Sequence, residues 1–450
     1  MSTEISASSN APSAIRPPSF REAFRFWLKL GFISFGGPTG QIAIMHSELV
    51  EKRKWISDNR FLHALNFCML LPGPEEQQLA IYIGWLLHRV WGGLAAGALF
   101  VIPSMFILWT LSVIYVHFGK VPWVAAVFYG LKPAVLAIVG AAVIRIGSKA
   151  LKNEVMWTLA AMAFVAIYFF KVPFPIIVIS AALIGLIGGR LRKNKFLVVT
   201  GHGAKHGQQE ESIINDHSET PAHAIPSLVR ALQMILVGGV LWWGPVLIVG
   251  LLFGWGHTLF QEGLFFSKAA LVTFGGAYAV LPYVSQQAVE NYQWLSAGQM
   301  LDGLGLAETT PGPLIMVLQF VGFLGGWNQP GTLSPLVGAT LGAFITTWTT
   351  FVPCFLFIFV GAPHIEQLRG QDSLTSSLSA VTAAVVGVVL NLAVWFGLHV
   401  LSPDGNKLDW FAVVVAAVAF AGLVKWKWDV IPVVLGAGAL GFLYKMVAAL

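Results

Sequence analysis

The sequence predicts an all-α polytopic membrane protein: two inverted-topology repeats with broken or re-entrant helices, joined by a cytoplasmic linker and one extra transmembrane helix. Three observations predict it: the scarcity of charge, a duplicated set of Gly/Pro landmarks, and a reversal of loop charge between the two copies. Of 450 residues, 56% are hydrophobic and 11% charged, with a mean hydropathy of +0.73, whereas soluble domains carry about 25% charged residues. Charge-free runs at 172–189, 231–261 and 373–403 are near or beyond the roughly 20 residues that cross a bilayer core of about 30 Å. The net charge of +6 sits at the ends of apolar segments, as the positive-inside rule requires. No basic patch interleaved with aromatics is present, so the expected partner of this charge is membrane lipid and not nucleic acid.

Residues 1–20, rich in Ser, Ala and Pro without an apolar core, read as a disordered cytoplasmic tail and not as a cleaved signal peptide. The first membrane repeat, 21–189, carries SFGGP at 34–38, and the second, 259–450, returns it as TFGGA at 273–277, an offset of 239. The same offset carries Lys29 onto Lys268, Trp55 onto Trp294, Ser57 onto Ser296, and Pro72-Gly73-Pro74 onto Pro311-Gly312-Pro313. Several landmarks at one offset mark a duplication. Beyond them the copies slip by 11 residues, because Val101-Ile102-Pro103 matches Phe351-Val352-Pro353 after an extra loop, GWNQPGTLSP.

The linker, 190–225, is polar and mixed in charge and reads as a flexible cytoplasmic connection. Its His202, His206, His217 and His223 follow no metal-ligand spacing. Residues 226–258 then add one connecting transmembrane helix with no counterpart ahead of the first repeat, and a single added crossing turns the second repeat over. Loop charge agrees with that inversion. The loop at 46–60 holds Lys52, Arg53, Lys54 and Arg60, while its equivalent at 285–299 holds no Lys or Arg. Inverted repeats of this kind are the architecture of many secondary transporters.

Full crossings at both 22–45 and 61–88 would place the basic 46–60 loop on the opposite side from the basic N-terminal region. Re-entrant or broken hairpins keep Arg21, Arg25, Lys52 to Lys54, Arg60 and Arg89 together on the cytoplasmic side. The expectation is then about 13 apolar segments, or about nine full crossings, with the N-terminus cytoplasmic and the C-terminus outside.

A helix broken by Gly-Gly or Pro-Gly-Pro leaves free N–H and C=O groups, tolerated at membrane depth only where protein or a water-filled cavity covers them. The N-terminal ends of half-helices present those N–H groups and the positive end of the helix dipole, which suits an anion. Gly36, Gly37, Gly275 and Gly276, with Pro72, Gly73, Pro74, Pro311, Gly312 and Pro313, therefore form a candidate ligand cradle. Close helix packing by small residues is the alternative reading. Lys29 and Lys268 precede the breaks by about two turns. They either help to hold a dianion or snorkel to the interface. Ser34 and Thr273 offer hydroxyls that either donate to an oxyanion or serve helix packing.

Glu75 and Glu76 follow the first Pro-Gly-Pro, whereas its twin is followed by Leu314 and Ile315. Acidic residues in a first helical turn are ordinary. The functional alternative is a titrating carboxylate that couples protons to the anion, with Gln77 and Gln78 as neutral hydrogen-bond partners. Lys132 is an intramembrane or near-interface cation, and Arg145 is expected at the cytoplasmic edge with Lys149 and Lys152. Cys68 and Cys354 sit in apolar runs and read as small buried hydrophobes, not as a disulfide. Small-residue stripes such as GAGALG at 436–441 would permit a homodimer.

The sequence contains no G-x-S-x-G elbow, Walker A loop, H-E-x-x-H or paired cysteine ligand set. No cofactor, metal or enzymatic activity is expected. A gradient-driven transporter, a passive anion channel and a membrane enzyme or assembly factor are the classes weighed, the last lacking a visible catalytic constellation.

The segments SFGGPTGQIAIMHSELVEKRKWIS, LNFCMLLPGPEEQQLAIYIGW and WGGLAAGALFVIPS in the first half, with TFGGAYAVLPYV and LAETTPGPLIMVLQFVGFLGG in the second, resemble the chromate ion transporter (CHR) family in its long, two-repeat form. The resemblance implies export of chromate across the cytoplasmic (inner) membrane, chromate resistance, and sulfate as a competing oxyanion. A passive oxyanion channel or a sulfate carrier is the alternative. The resemblance reaches both FGG breaks and both PGP breaks and does not say which side chain touches the ion.

Overall fold

The structure, a computed structural model, describes residues 16–197, 212–215, 221–365, 372–403 and 407–448. The first repeat runs α1 (Phe20–Ile33), α2 (Gly37–His46), α3 (Asp58–Cys68), α4 (Glu75–Phe118), α5 (Pro122–Ala150), α6 (Glu154–Tyr168) and α7 (Phe174–Leu191). A short α8 (Lys193–Phe196) and α9 (Leu228–Phe253) lead to the second repeat. That repeat comprises α10 (Thr258–Val272), α11 (Ala277–Gln286), α12 (Ala297–Thr309), α13 (Val317–Asn328), α14 (Pro335–Gly361), α15 (Asp372–Leu401), α16 (Trp410–Val424) and α17 (Val430–Ala448).

The helix boundaries follow from local chemistry. Ser19, Ser57, Asn153, Ser227 and Ser296 cap α1, α3, α6, α9 and α12, each side chain accepting a backbone N–H of the first turn. Breaks fall where glycine takes a left-handed backbone, with φ of +88° at Gly36 and +66° at Gly37, and +82° at Gly275 and +88° at Gly276. The duplication is visible in the backbone elsewhere too. Non-glycine positive φ occurs in repeat pairs, Lys54 with Gln293 and Lys171 with Lys427. One π-helical turn follows α2 at Ser47–Lys52 and another follows α11 at Gln287–Asn291.

Among the described residues, seven helices are long and apolar enough to cross a membrane, and three more apolar helical stretches are shorter. These seven, with α6 and α16 among the shorter stretches, fall on the segments expected from the sequence as crossings. The segments expected as broken or re-entrant are built from short helices: α1, α2, α3, α11 and α12 have only 10 to 14 residues, short of the roughly 20 a bilayer needs. The 44 residues of α4 also fold back at His88 and Arg89, where φ/ψ become −138°/32° and 56°/−151°. In the second repeat the GWNQPGTLSP loop between α13 and α14 occupies the place of that fold-back.

The long limbs cross between halves. One apolar core holds α1, α3 and the start of α4 together with Cys354, Ile358 and Ala362 from the end of α14. The other holds the broken helices of the second repeat together with Val101 and Leu108 of α4. Each set of broken helices is thus packed against the limb of the opposite repeat. Ala437 and Gly438 of the GAGALG stripe are buried and Gly441 packs on Gly130 of α5, while Gly436, Ala439 and Leu440 of the same stripe are exposed.

The linker departs from the solvated connection expected. Ile213 and Ile214 donate their N–H groups to the carbonyls of Lys54 and Trp55, and Ser57 N–H donates back to Ile214. His223 Nε2 donates to the carbonyl of Trp85 at 3.0 Å. The linker is therefore tied to the first repeat. His202, His206 and His217 lie outside the described residues, as does most of the tail at 1–20.

Candidate functional site

The four breaks are joined in two pairs that cross between the repeats. Gly73 N–H donates to the carbonyl of Thr273 at 2.8 Å, and Gly312 N–H donates to the carbonyl of Ser34 at 2.7 Å. At an offset of 239 these are the same bond made twice, each from the PGP break of one repeat to the FGG break of the other. The sequence explains the groups that are free to make it. The normal helical partner of the Ser34 carbonyl would be Pro38, which has no N–H. Gly73 and Gly312 lie between prolines at φ +118° and +97°, a backbone that glycine alone adopts readily. An unpaired backbone group inside the membrane costs several kcal/mol, so each repeat completes the hydrogen bonding of the other.

Side chains reinforce the crossover unequally. Gln41 is fully buried, and its Nε2 donates both to the Ser34 carbonyl and to the Gly312 carbonyl. Gln78 Nε2 donates to the Pro72 carbonyl at 2.7 Å, and Gln77 Nε2 reaches the carbonyl of Gly97 at 3.4 Å. Their repeat equivalents Val280, Val317 and Met316 are apolar, so only the first repeat brings this polarity. Pro74 and Pro313 each precede the next helical turn, as expected of PGP.

Open space borders the FGG breaks. A β-carbon on Gly37 or on Gly275 would meet nothing within 4 Å. At Gly276, just ahead of α11, it would meet Glu75 Oε1 at 3.2 Å. Glu75 of the first repeat therefore sits beside the first turn of α11, while its equivalent Leu314 brings no charge to α2. Glu76 is fully buried, and neither of its oxygens has a hydrogen-bond partner.

Two groups of residues singled out from the sequence take other positions. Lys29 and Lys268 are exposed on the outer faces of α1 and α10. Lys29 lines a surface cavity of about 360 Å³ with Arg21, Arg25 and Arg53. Neither lysine joins the breaks, because at two turns' distance each points off the buried face of its helix, and this is the snorkelling alternative. Ser34 and Thr273 are at the crossover, but their hydroxyls donate to the carbonyls four residues back, Leu30 and Ala269, at 2.6 Å each. Those protons are committed to the helix ends, so the backbone carbonyls, not the hydroxyls, do the work of these two residues here.

The structure also gathers cations noted in the sequence with partners that sequence reasoning passed over, Tyr278, Glu308, Asp302 and Tyr115. Tyr278, in the first turn of α11, donates its hydroxyl to Glu308 Oε1 near the end of α12 at 2.6 Å. Arg145 of α5 lies 5.8 Å over the ring of that tyrosine. Lys132 pairs with Asp302 Oδ1 at 3.7 Å, and Tyr115 donates to Asp302 Oδ2 at 2.9 Å. Cys68 and Cys354 are both buried and free. Cys354 has a structural counterpart in Ser104, since Gly73 faces Cys354 and Gly312 faces Ser104 across the two halves.

Two helical repeats that break at glycine and proline and exchange backbone bonds at those breaks define a polytopic membrane protein with the build of a secondary transporter. The chromate transporter family matches residues 21–186 and 260–442, one region in each repeat, and the chain belongs to that family. It is 30% identical to the chromate transport protein of Pseudomonas aeruginosa over 437 residues, covering 96% of this chain and 94% of that one. It is 28% identical to the chromate transport protein of Cupriavidus metallidurans over 424 residues, covering 94% and 92%. A probable chromate transport protein of Synechococcus elongatus is 26% identical over 426 residues, covering 91% and 96%. No solved structure matches the chain.

Proposed function

We propose that the protein exports chromate, or a tetrahedral dianion like it, across the cytoplasmic membrane and so gives chromate resistance, with the two repeats arranged in inverted topology about the crossover. The reciprocal bonds of Gly73 to Thr273 and Gly312 to Ser34 carry this reading. They set the start of each of α2 and α11, with its positive dipole end, against the PGP break of the other repeat, and open space borders Gly37 and Gly275. The binding groups are Gly36, Gly37, Gly275 and Gly276, held by the two PGP breaks. Sulfate, of the same shape and charge, competes for the same donors.

Glu75 and Glu76 couple transport to protons in this reading. Glu75 occupies the start of α11, where a dianion would otherwise sit, so the anion binds there once the carboxylate has been neutralised or displaced. A passive channel has no need of such a group. The basic loop at 46–60 and the basic N-terminal helix put the N-terminus in the cytoplasm, and inversion then puts the C-terminus outside. The test is uptake of labelled chromate into everted vesicles at a series of concentrations, with and without sulfate and with and without a pH gradient. Saturation, sulfate inhibition and a response to the gradient are expected, and linear uptake indifferent to all three would replace the carrier with a channel.

A further inference from the structure

A dianion carrier needs a cation near its breaks, and the two lysines are not there. Lys132 is already paired with Asp302, six residues before Glu308 in α12. Arg145 is different. Its guanidinium stands over Tyr278, two residues after the FGG break, and its charge acts on Glu308, two residues before the Thr310-Pro311 turn. Tyr278 and Glu308 are 6% and 7% exposed, while Arg145 itself is exposed, so it joins the surface to the buried flank of both second-repeat breaks. Glu308 Oε1 is taken by the tyrosine hydroxyl, and no ion pair holds Arg145 among the described residues.

Resting on the oxyanion reading above, we propose that Arg145 is the residue that captures the oxyanion, with Tyr278 and Glu308 positioning it. A guanidinium offers several donors in a planar fork that fits two oxygens of a tetrahedral anion at once, which an ammonium cannot do. Glu308 balances the arginine while no anion is bound. It also limits how tightly a dianion is held, since an ion that must move on cannot be bound too strongly.

Two measurements test this. The first is the KM for labelled chromate, and in parallel for labelled sulfate, in everted vesicles with transporter content matched by immunoblot. Loss of one charged, bidentate contact corresponds to about tenfold or more, so R145Q is expected to raise KM by that factor, R145K to fall between, and E308Q to lower KM below wild type. Unchanged KM in R145Q, with only its maximal rate or amount reduced, would mean a purely structural arginine and overturn the proposal. The second needs no transport. Phenylglyoxal modification of Arg145 in the purified wild-type protein, followed by mass spectrometry, is expected to be slowed by sulfate and not by chloride. Equal modification in both salts overturns the proposal. Wild-type vesicles that carry neither anion would sink the oxyanion reading, while the protection result still decides the role of Arg145.

Discussion

The carbonyl of Ser34 accepts a hydrogen bond from the N–H of Gly312, 2.7 Å away, and so fastens the break in the first repeat to the break in the second. The mate of this bond, from Gly73 to Thr273, makes the fastening two-fold, and neither repeat satisfies its own broken backbone alone.

Alanine at either PGP glycine should destabilise the protein, by unequal routes. Both positions have positive φ, which costs an L-residue about 1–2 kcal/mol, and overpacking adds about 1–3 kcal/mol. On Gly73 the new β-carbon lies 2.8 Å from Cys354 Sγ, and on Gly312 it lies 2.5 Å from both Cβ and Oγ of Ser104. Adding Cys354→Ala should recover part of the thermal stability lost in Gly73→Ala, because it removes one of the two colliding atoms, the other being Gln78 Nε2 at 2.9 Å at the end of a longer side chain. Adding Ser104→Ala should recover little in Gly312→Ala, because Cβ remains. Equal recovery in the two pairs would contradict this geometry.

Glu75→Gln and Glu76→Gln should separate coupling from folding. Glu76 is buried without a partner, so exchanging it for a neutral amide should leave the amount of folded protein at wild-type level. Glu75, beside the start of α11, should lose the response of chromate uptake to an imposed pH gradient when changed to Gln. Gradient-dependent uptake in Glu75→Gln would remove this residue from the coupling scheme.

Lys29→Ala and Lys268→Ala should each leave the KM for chromate within about twofold of wild type, as expected of exposed side chains that touch no special feature. A tenfold increase in either would return the lysines to the binding site.

Docking of the linker should weaken in acid. Burial, assisted by the charges of Arg89 and Arg230 and opposed by the bond to Trp85, holds His223 below its ordinary value of 6.5. The docked imidazole is therefore neutral where the undocked one binds a proton. Its contribution is full above about pH 6.5 and is lost as pH falls below that value. Protease cleavage between the repeats should speed up between pH 7.5 and 5.5 beyond the enzyme's own pH response, and His223→Gln should abolish that acceleration.

The sequence made the breaks legible because glycine and proline leave a mark at one offset in both copies. It could not show that Gly73 seeks Thr273, since an offset reveals which residues are equivalent and not which ones touch. Gln41 escaped notice because its equivalent is Val280, and Glu308 because its equivalent is Met69. Glu262, fully buried with both oxygens unpartnered, stands where the first repeat has Ala23. Arg145 is expected at the membrane edge with Lys149 and Lys152, and it is exposed, but its place over Tyr278 of the other repeat is a contact that sequence neighbours do not reveal. The pairing of Cys354 with Ser104 hid behind the 11-residue slip between the copies.

A single oxyanion site built by both repeats would need both crossover bonds intact. Uptake of labelled chromate into everted vesicles containing wild type, Gly73→Ala or Gly312→Ala, each normalised to folded protein, tests it most directly. Saturable, sulfate-inhibited uptake in wild type and its loss in both variants are expected. Wild-type rates in both glycine variants, or no uptake in wild type, would contradict it.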